Sequence, residues 1–72
     1  MKGDPDFFKG AKALRQGEVA TARACFENSF SKRGNRTSAY KAAVLYKVVG
    51  PDQNDDRALQ YFYEALQTNS GR

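Results

Sequence analysis

Few residues in this chain have the types and spacing that catalysis needs. There is no histidine and one cysteine, Cys25, which therefore has neither a disulfide partner within the chain nor an imidazole to take its proton. Cys25 also falls on an apolar helical stripe, where a buried structural thiol is expected rather than a nucleophile. Asp52-x-Asn54-x-Asp56 has the opening of a calcium loop. Arg57, however, stands where such a loop requires glycine, and Tyr63 where its bidentate glutamate should be. Helix capping accounts for these residues better. No spacing nominates a lysine or carboxylate as an acid–base group, and the common zinc frameworks are absent. The chain is expected to be non-enzymatic and to hold neither metal nor cofactor.

The basic residues carry more. Lys32, Arg33 and Arg36 fall in one turn, and Lys9, Lys12 and Arg15 fan over one side of a helix. Either group could meet a phosphate backbone, so a small nucleic-acid-binding regulator using Lys32, Arg33 and Arg36 is the alternative function. Against it, no aromatic is interleaved for base stacking, and the third helix is too apolar to act as a recognition helix. The first reading is a surface facing solvent or an acidic partner. The formal charge of +4 is also uneven: residues 1–48 hold ten Lys/Arg against four acids, and residues 49–72 hold two against four. A basic front and an acidic rear would steer an acidic partner or favour head-to-tail self-contact.

Seventy-two residues make one small domain. A chain of this size buries only about 60% of its unfolded surface, so without disulfide or metal its stability is marginal and a bound partner or homodimer is expected. A composition 40% hydrophobic and 28% charged suits a globular domain. No apolar run approaches the roughly 18 residues of a membrane span, and the first residues lack a signal-peptide core, so a cytoplasmic location without membrane contact is expected.

The elements that must position these residues read as four helices. Asp4-Pro5 is a start signal, with Asp4 as N-cap and Pro5 at the first helical position. The first helix should run to about Gln16 and stop at Gly17, with Phe7, Phe8, Ala11, Leu14 and Gly10 as a narrow apolar stripe. The second should span Glu18 to Lys32, with Val19, Ala22, Cys25, Phe26, Ser29 and Phe30 on one face, and end at Gly34. Thr37 or Asn35 can cap a third helix over 38–49. It is apolar nearly all round and so predicted to be the centre of the fold, although Val44, Val48 and Val49 also permit a strand. Gly50-Pro51 stops it. Asn54 or Asp52 caps the fourth, with Asp55 and Asp56 in its first turn and an apolar stripe of Ala58, Leu59, Phe62, Ala65 and Leu66. Residues 69–72 read as a frayed end.

The second and fourth helices echo one another. Ala22-x-x-x-Phe26-x-x-Ser29-Phe30 returns 36 positions later as Ala58-x-x-x-Phe62-x-x-Ala65-Leu66. A fixed period of this size marks a helical repeat array, in which each unit buries its apolar face on a neighbour. Small-x-x-x-aromatic at the same place in two helical hairpins, with Gly10 at the small position of a first helix and Gln16-Gly17-Glu18 as an intra-repeat turn, resembles the tetratricopeptide repeat family. The second unit, Arg57 to Leu66 after a Gly-Pro-Asp loop, is similar to its longer Sel-like variants. Asp6, Lys9 and Tyr46 depart from the family pattern, and the residues that clamp a peptide carboxylate in some members are replaced by Phe7, Ala11, Tyr40 and Val44.

The resemblance implies an all-α fold of two stacked hairpins, with repeat one over about 5–33 and repeat two over about 37–68. In that family the first helix of each unit lines a concave face, which would turn Phe8, Lys12, Tyr40 and Lys47 toward a ligand. It implies a non-enzymatic adaptor, chaperone or small inhibitor that binds a protein segment, acidic or amphipathic in character. Two repeats are fewer than the three or more that usually stand alone, so Leu59, Tyr61 or Tyr63 is expected to be exposed at the end.

Overall fold

The computed structural model of the chain describes residues 4–67; the expected frayed end and the last residue of the second repeat lie outside them. Four helices, α1 (Pro5–Arg15), α2 (Val19–Arg33), α3 (Arg36–Tyr46) and α4 (Asp55–Leu66), form a small all-α array with no strand among the described residues. Each helix packs on the next in order, α1 on α2, α2 on α3 and α3 on α4.

Local signals set most boundaries. The Asp4 side chain accepts from the backbone N–H groups of Asp6 and Phe7, satisfying two donors that the first turn of α1 leaves free. At its other end Gly17 takes φ +80°, and its N–H bonds Leu14 O at 3.0 Å while the N–H of Glu18 bonds Ala13 O at 2.9 Å. This 6→1 plus 5→2 pair is a Schellman ending, which needs a residue in the left-handed region. Gly34 at φ +67° ends α2 similarly, its N–H on Phe30 O at 2.8 Å. Asn35, not Thr37, caps α3, and Asn54, not Asp52, caps α4; each side-chain oxygen accepts the N–H three residues on.

The largest departure from expectation is the end of α3. It starts at Arg36, takes in Thr37, and stops at Tyr46 rather than near Val49. Lys47 N–H bonds Val44 O and Val48 N–H bonds Leu45 O, tightening the last turn. The N–H of Asn54 then takes the Tyr46 carbonyl at 2.9 Å. That returning bond, with Pro51 ahead, leaves Val48 and Val49 in the connection, 43% and 86% exposed.

The central position expected for α3 is observed. Ser38, Ala39, Ala42, Ala43, Leu45 and Tyr46 are buried, and Ala42 and Leu45 join Ala13, Ala22 and Phe26 in the core. In α1 the buried residues are Gly10 and Ala13, whereas Phe8 and Leu14 are exposed. The reason is local: an ideal Cβ on Gly10 would lie 2.9 Å from the Phe26 ring, so the helices approach where α1 has no side chain. Cys25 is only half-buried, because Ala22, Phe26 and Ser29 form the inner face of α2 and Cys25 sits at its margin. In α4 only Ala58 is fully buried; Leu59 and Leu66 stand outside, correcting the stripe read from sequence.

Candidate functional site

On α1, Phe8, Lys12 and Arg15 recur at i, i+4 and i+7 and so share one stripe. Phe8 is 60% exposed. Its ring meets Phe7 edge-on at 5.9 Å, and Phe7 in turn meets Phe26 edge-on at 5.6 Å, so the exposed ring is backed by the core. Lys9, Lys12 and Arg15 are exposed, and none makes an ion pair among the described residues. Lys12 and Arg15 also fall in the last turn of α1, where positive charge opposes the negative end of the helix dipole.

Tyr40 does not join Phe8. Its ring lies 5.6 Å from that of Phe62, and it lines a groove with Arg36, Thr37, Ala65 and Leu66 on the α4 side of α3. Phase explains this. The residue 36 positions after Phe8 is Val44, itself 42% exposed, whereas Tyr40 corresponds to the capping residue Asp4. Val44 is thus the exposed apolar residue of α3 in register with Phe8, and the 36-residue period alone points to it. Lys47 is exposed as the C-cap of α3.

The basic turn is engaged within the fold. Lys32 Nζ lies 3.8 Å from Asp6, Arg33 Nε 3.5 Å from Asp4, and Arg36 Nη1 donates to the Gln67 carbonyl at 2.5 Å. Lys32 and Arg33 are largely solvated, so each such pair contributes about 0–1 kcal/mol and leaves its cation competent for other anions. Their two acids nevertheless reduce the local positive charge.

Beneath that turn lies a polar junction that composition did not reveal. Ser29 Oγ donates to Asp4 Oδ2 at 2.5 Å and shares a hydrogen bond with Ser38 Oγ at 2.6 Å, both serines being fully buried. Asn35 Nδ2 donates to the same carboxylate oxygen at 3.2 Å. One aspartate thus ties the starts of α1 and α3 to the middle of α2. The Ser29 hydroxyl, with Asn35, the Phe7 N–H and the charge of Arg33 in support, holds the Asp4 carboxyl below its ordinary range against a smaller opposing effect of desolvation.

A second cluster surrounds Tyr46. Its hydroxyl donates to Glu27 and accepts from Arg57 Nε at 3.5 Å. The Tyr61 ring stacks on it at 5.9 Å, 8° from parallel, and the Arg23 guanidinium lies 4.7 Å from its centroid. Tyr61, expected among the exposed residues, is therefore half-buried, and burial, with the Glu27 charge second, pushes its hydroxyl up. Hydrogen bonding to Tyr46 raises Arg57. Among the described residues no buried side-chain nitrogen or oxygen lacks a partner. Both polar clusters are thus closed networks that position helices.

The outer side of α4 is different in kind. Leu59, Tyr63 and Leu66, again at i, i+4 and i+7, are 69%, 64% and 77% exposed. No group of three His, Cys, Asp or Glu among the described residues could hold a metal ion, and no described helix is long and apolar enough to cross a membrane. No protein-family model, no curated protein and no solved structure matches this chain.

Proposed function

We propose that the chain is a tetratricopeptide-like two-repeat module that acts without catalysis, as an adaptor, chaperone or small inhibitor, by binding an acidic, amphipathic protein segment. The observation that carries this reading is the α1 stripe. A core-backed phenylalanine is exposed in line with Lys12 and Arg15, beside Lys9, and these cations make no ion pair among the described residues. An exposed aromatic gives contact area, and unpaired cations around it steer and orient an acidic segment. Val44 and Lys47 extend the same chemistry on α3, the helix in the matching place of the second repeat. Tyr40 serves instead on the α4 side. Asp6 and Asp4 beside Lys32 and Arg33 lower the net positive charge of that turn, which favours this reading over nucleic-acid binding.

Affinity capture with the wild type and with the double variant Phe8→Ala, Lys12→Glu tests it. The wild type should recover protein clients that the variant loses. Recovery of nucleic acid alone, or of the same clients by both, overturns the reading.

A further inference from the structure

The outer stripe of α4 has an internal counterpart whose occupant is visible. Moved back by 36 positions, Leu59, Tyr63, Ala65 and Leu66 become Arg23, Glu27, Ser29 and Phe30 of α2. Each of these four touches the second hairpin. Arg23 and Glu27 hold Tyr46, Ser29 bonds Ser38, and Phe30 meets Tyr61 edge-on at 6.0 Å. That face of α2 receives a helix: Glu27 takes the hydroxyl that Tyr46 brings, and Arg23 lies over its ring. The matching face of α4 offers Leu59, Tyr63 and Leu66, all more than 60% exposed, beside the groove of Tyr40, Ala65 and Leu66. It is a helix seat with an apolar lining.

An α1 from another copy does not suit this seat. The residues with which α3 enters the core beside α2 are Ala42 and Leu45, and their counterparts in α1 are Asp6 and Lys9. A head-to-tail stack would set Gly10, the counterpart of Tyr46, on Leu59 and Tyr63, leaving that stripe uncovered, and would bring the charges of Asp6 and Lys9 against Ala58 and Phe62. The α4 stripe itself is a better match. It is almost palindromic: with two copies antiparallel and Tyr63 on the two-fold axis, Leu59 of each faces Leu66 of the other. The charges agree as well. Asp55 and Asp56 fill the first turn of α4, while Arg36 sits at its far end on the Gln67 carbonyl, so each acidic start approaches the arginine of the other copy. We propose that the chain forms a closed two-fold dimer through antiparallel α4 helices, with Leu59, Tyr63 and Leu66 at its centre and Asp55, Asp56 and Arg36 at its rim. This face is separate from the α1 stripe, so the dimer stands or falls independently of client binding.

Sedimentation velocity on the full chain from low to high micromolar concentration tests the proposal, with circular dichroism to verify helix content. The wild type should pass from monomer to dimer and go no further. Tyr63→Lys places two like charges on the axis and should weaken the dimer about 30-fold or more while remaining helical. In a Cys25→Ser background, Tyr63→Cys should give a disulfide-linked dimer under mild oxidation. Leu59→Cys should link only when mixed with Leu66→Cys, because the cross-link needs close Cα atoms. This reads the interface even if Tyr63→Lys fails to fold. A wild type that stays monomeric at high micromolar concentration, an open series of oligomers, or Leu59→Cys linking as well alone as in the mixture overturns the proposal.

Discussion

The two hairpins carry the same motif and use it differently. Ala22 and Ala58 are equally sealed, at 0% and 1% exposure. Four residues later the pair diverges: Phe26 is fully buried and Phe62 only half so. At the next step Phe30 is half-buried and Leu66 is 77% exposed. Phe26 lies against Gly10 on one side and shares the core with Ala42 and Leu45 of α3 on the other. Phe62 has Tyr40 beside it, and the outer stripe of Leu59, Tyr63 and Leu66 stays mostly exposed. The motif therefore fixes contact with the helix's own hairpin partner, while place in the array decides how much of the rest is covered.

Truncating the two phenylalanines should expose the difference most strongly. Removal of a fully buried phenylalanine costs about 3–5 kcal/mol, comparable to the whole stability that a core of this size supplies. Phe26→Ala should abolish the cooperative urea transition. Phe62→Ala should lower its midpoint and leave the transition intact. Equal losses from the two would break the comparison.

The third position of the motif gives the next largest effect. Ser29 and Ala65 are counterparts, but Ser29 carries the hydrogen bonds that join Asp4 to Ser38. Ser29→Ala should destabilise by about 1–3 kcal/mol, since it leaves buried polar groups short of a partner; Ala65→Ser, at a half-buried site, should be close to neutral. The junction also predicts a pH dependence. The folded carboxyl of Asp4 titrates below its ordinary value of 3.8, so the unfolded chain binds its proton first as pH falls. Its contribution is complete above that value and lost as pH drops through the folded one. Thermal unfolding below pH 4 should show a steeper acid loss for the wild type than for Asp4→Asn.

How much of this was legible depends on the range of the interaction. Caps and stops are decided within a few residues: Asp4, Gly17 and Gly34 are legible outright, and Asn54 is one of the two caps, with Asp52, that the sequence offers for α4. The end of α3 was misplaced because the bond from Asn54 to the Tyr46 carbonyl comes from beyond the loop. The small residues Ala22 and Ala58 were found through their period. The junction of Asp4, Ser29, Asn35 and Ser38 was not, because its members come from three helices and each has an ordinary local role as cap or small residue. On the candidate face, Phe8 and Lys12 came out as exposed neighbours of like phase. Tyr40 was placed there by its helix alone, whereas the 36-residue phase selects Val44.

Gly10 and its counterpart Tyr46 sharpen the contrast at a lower energy. Alanine at Gly10 gains about 1 kcal/mol of helix propensity. Its Cβ would stand 2.9 Å from a buried ring with no room to move, and overpacking of that kind costs about 1–3 kcal/mol. Gly10→Ala should therefore destabilise by roughly 1 kcal/mol net, a midpoint shift of about 4–8 °C in thermal unfolding. Tyr46 is tolerated at the matching place because Phe62 lies against Tyr40 and Tyr46 itself turns to Glu27, Arg57 and Tyr61. A stabilised Gly10→Ala variant would mean that the Phe26 ring is not confined as the comparison requires.

The smallest expected change falls on the open side of the second hairpin. Leu59 is 69% exposed, so in dilute solution Leu59→Gln removes little burial and should alter stability by no more than about 0.5 kcal/mol. Its counterpart Arg23, with its side chain 16% exposed between Tyr46 and Asp52, should be felt more when truncated. Concentration separates intrinsic from acquired burial at this stripe. If a second copy covers α4, the wild-type unfolding midpoint climbs with protein concentration, since association stabilises the folded state by mass action, and that of Leu59→Gln stays level. A loss of several degrees in dilute Leu59→Gln would place Leu59 in the monomer's own core and remove the asymmetry between the hairpins on which the docking face rests.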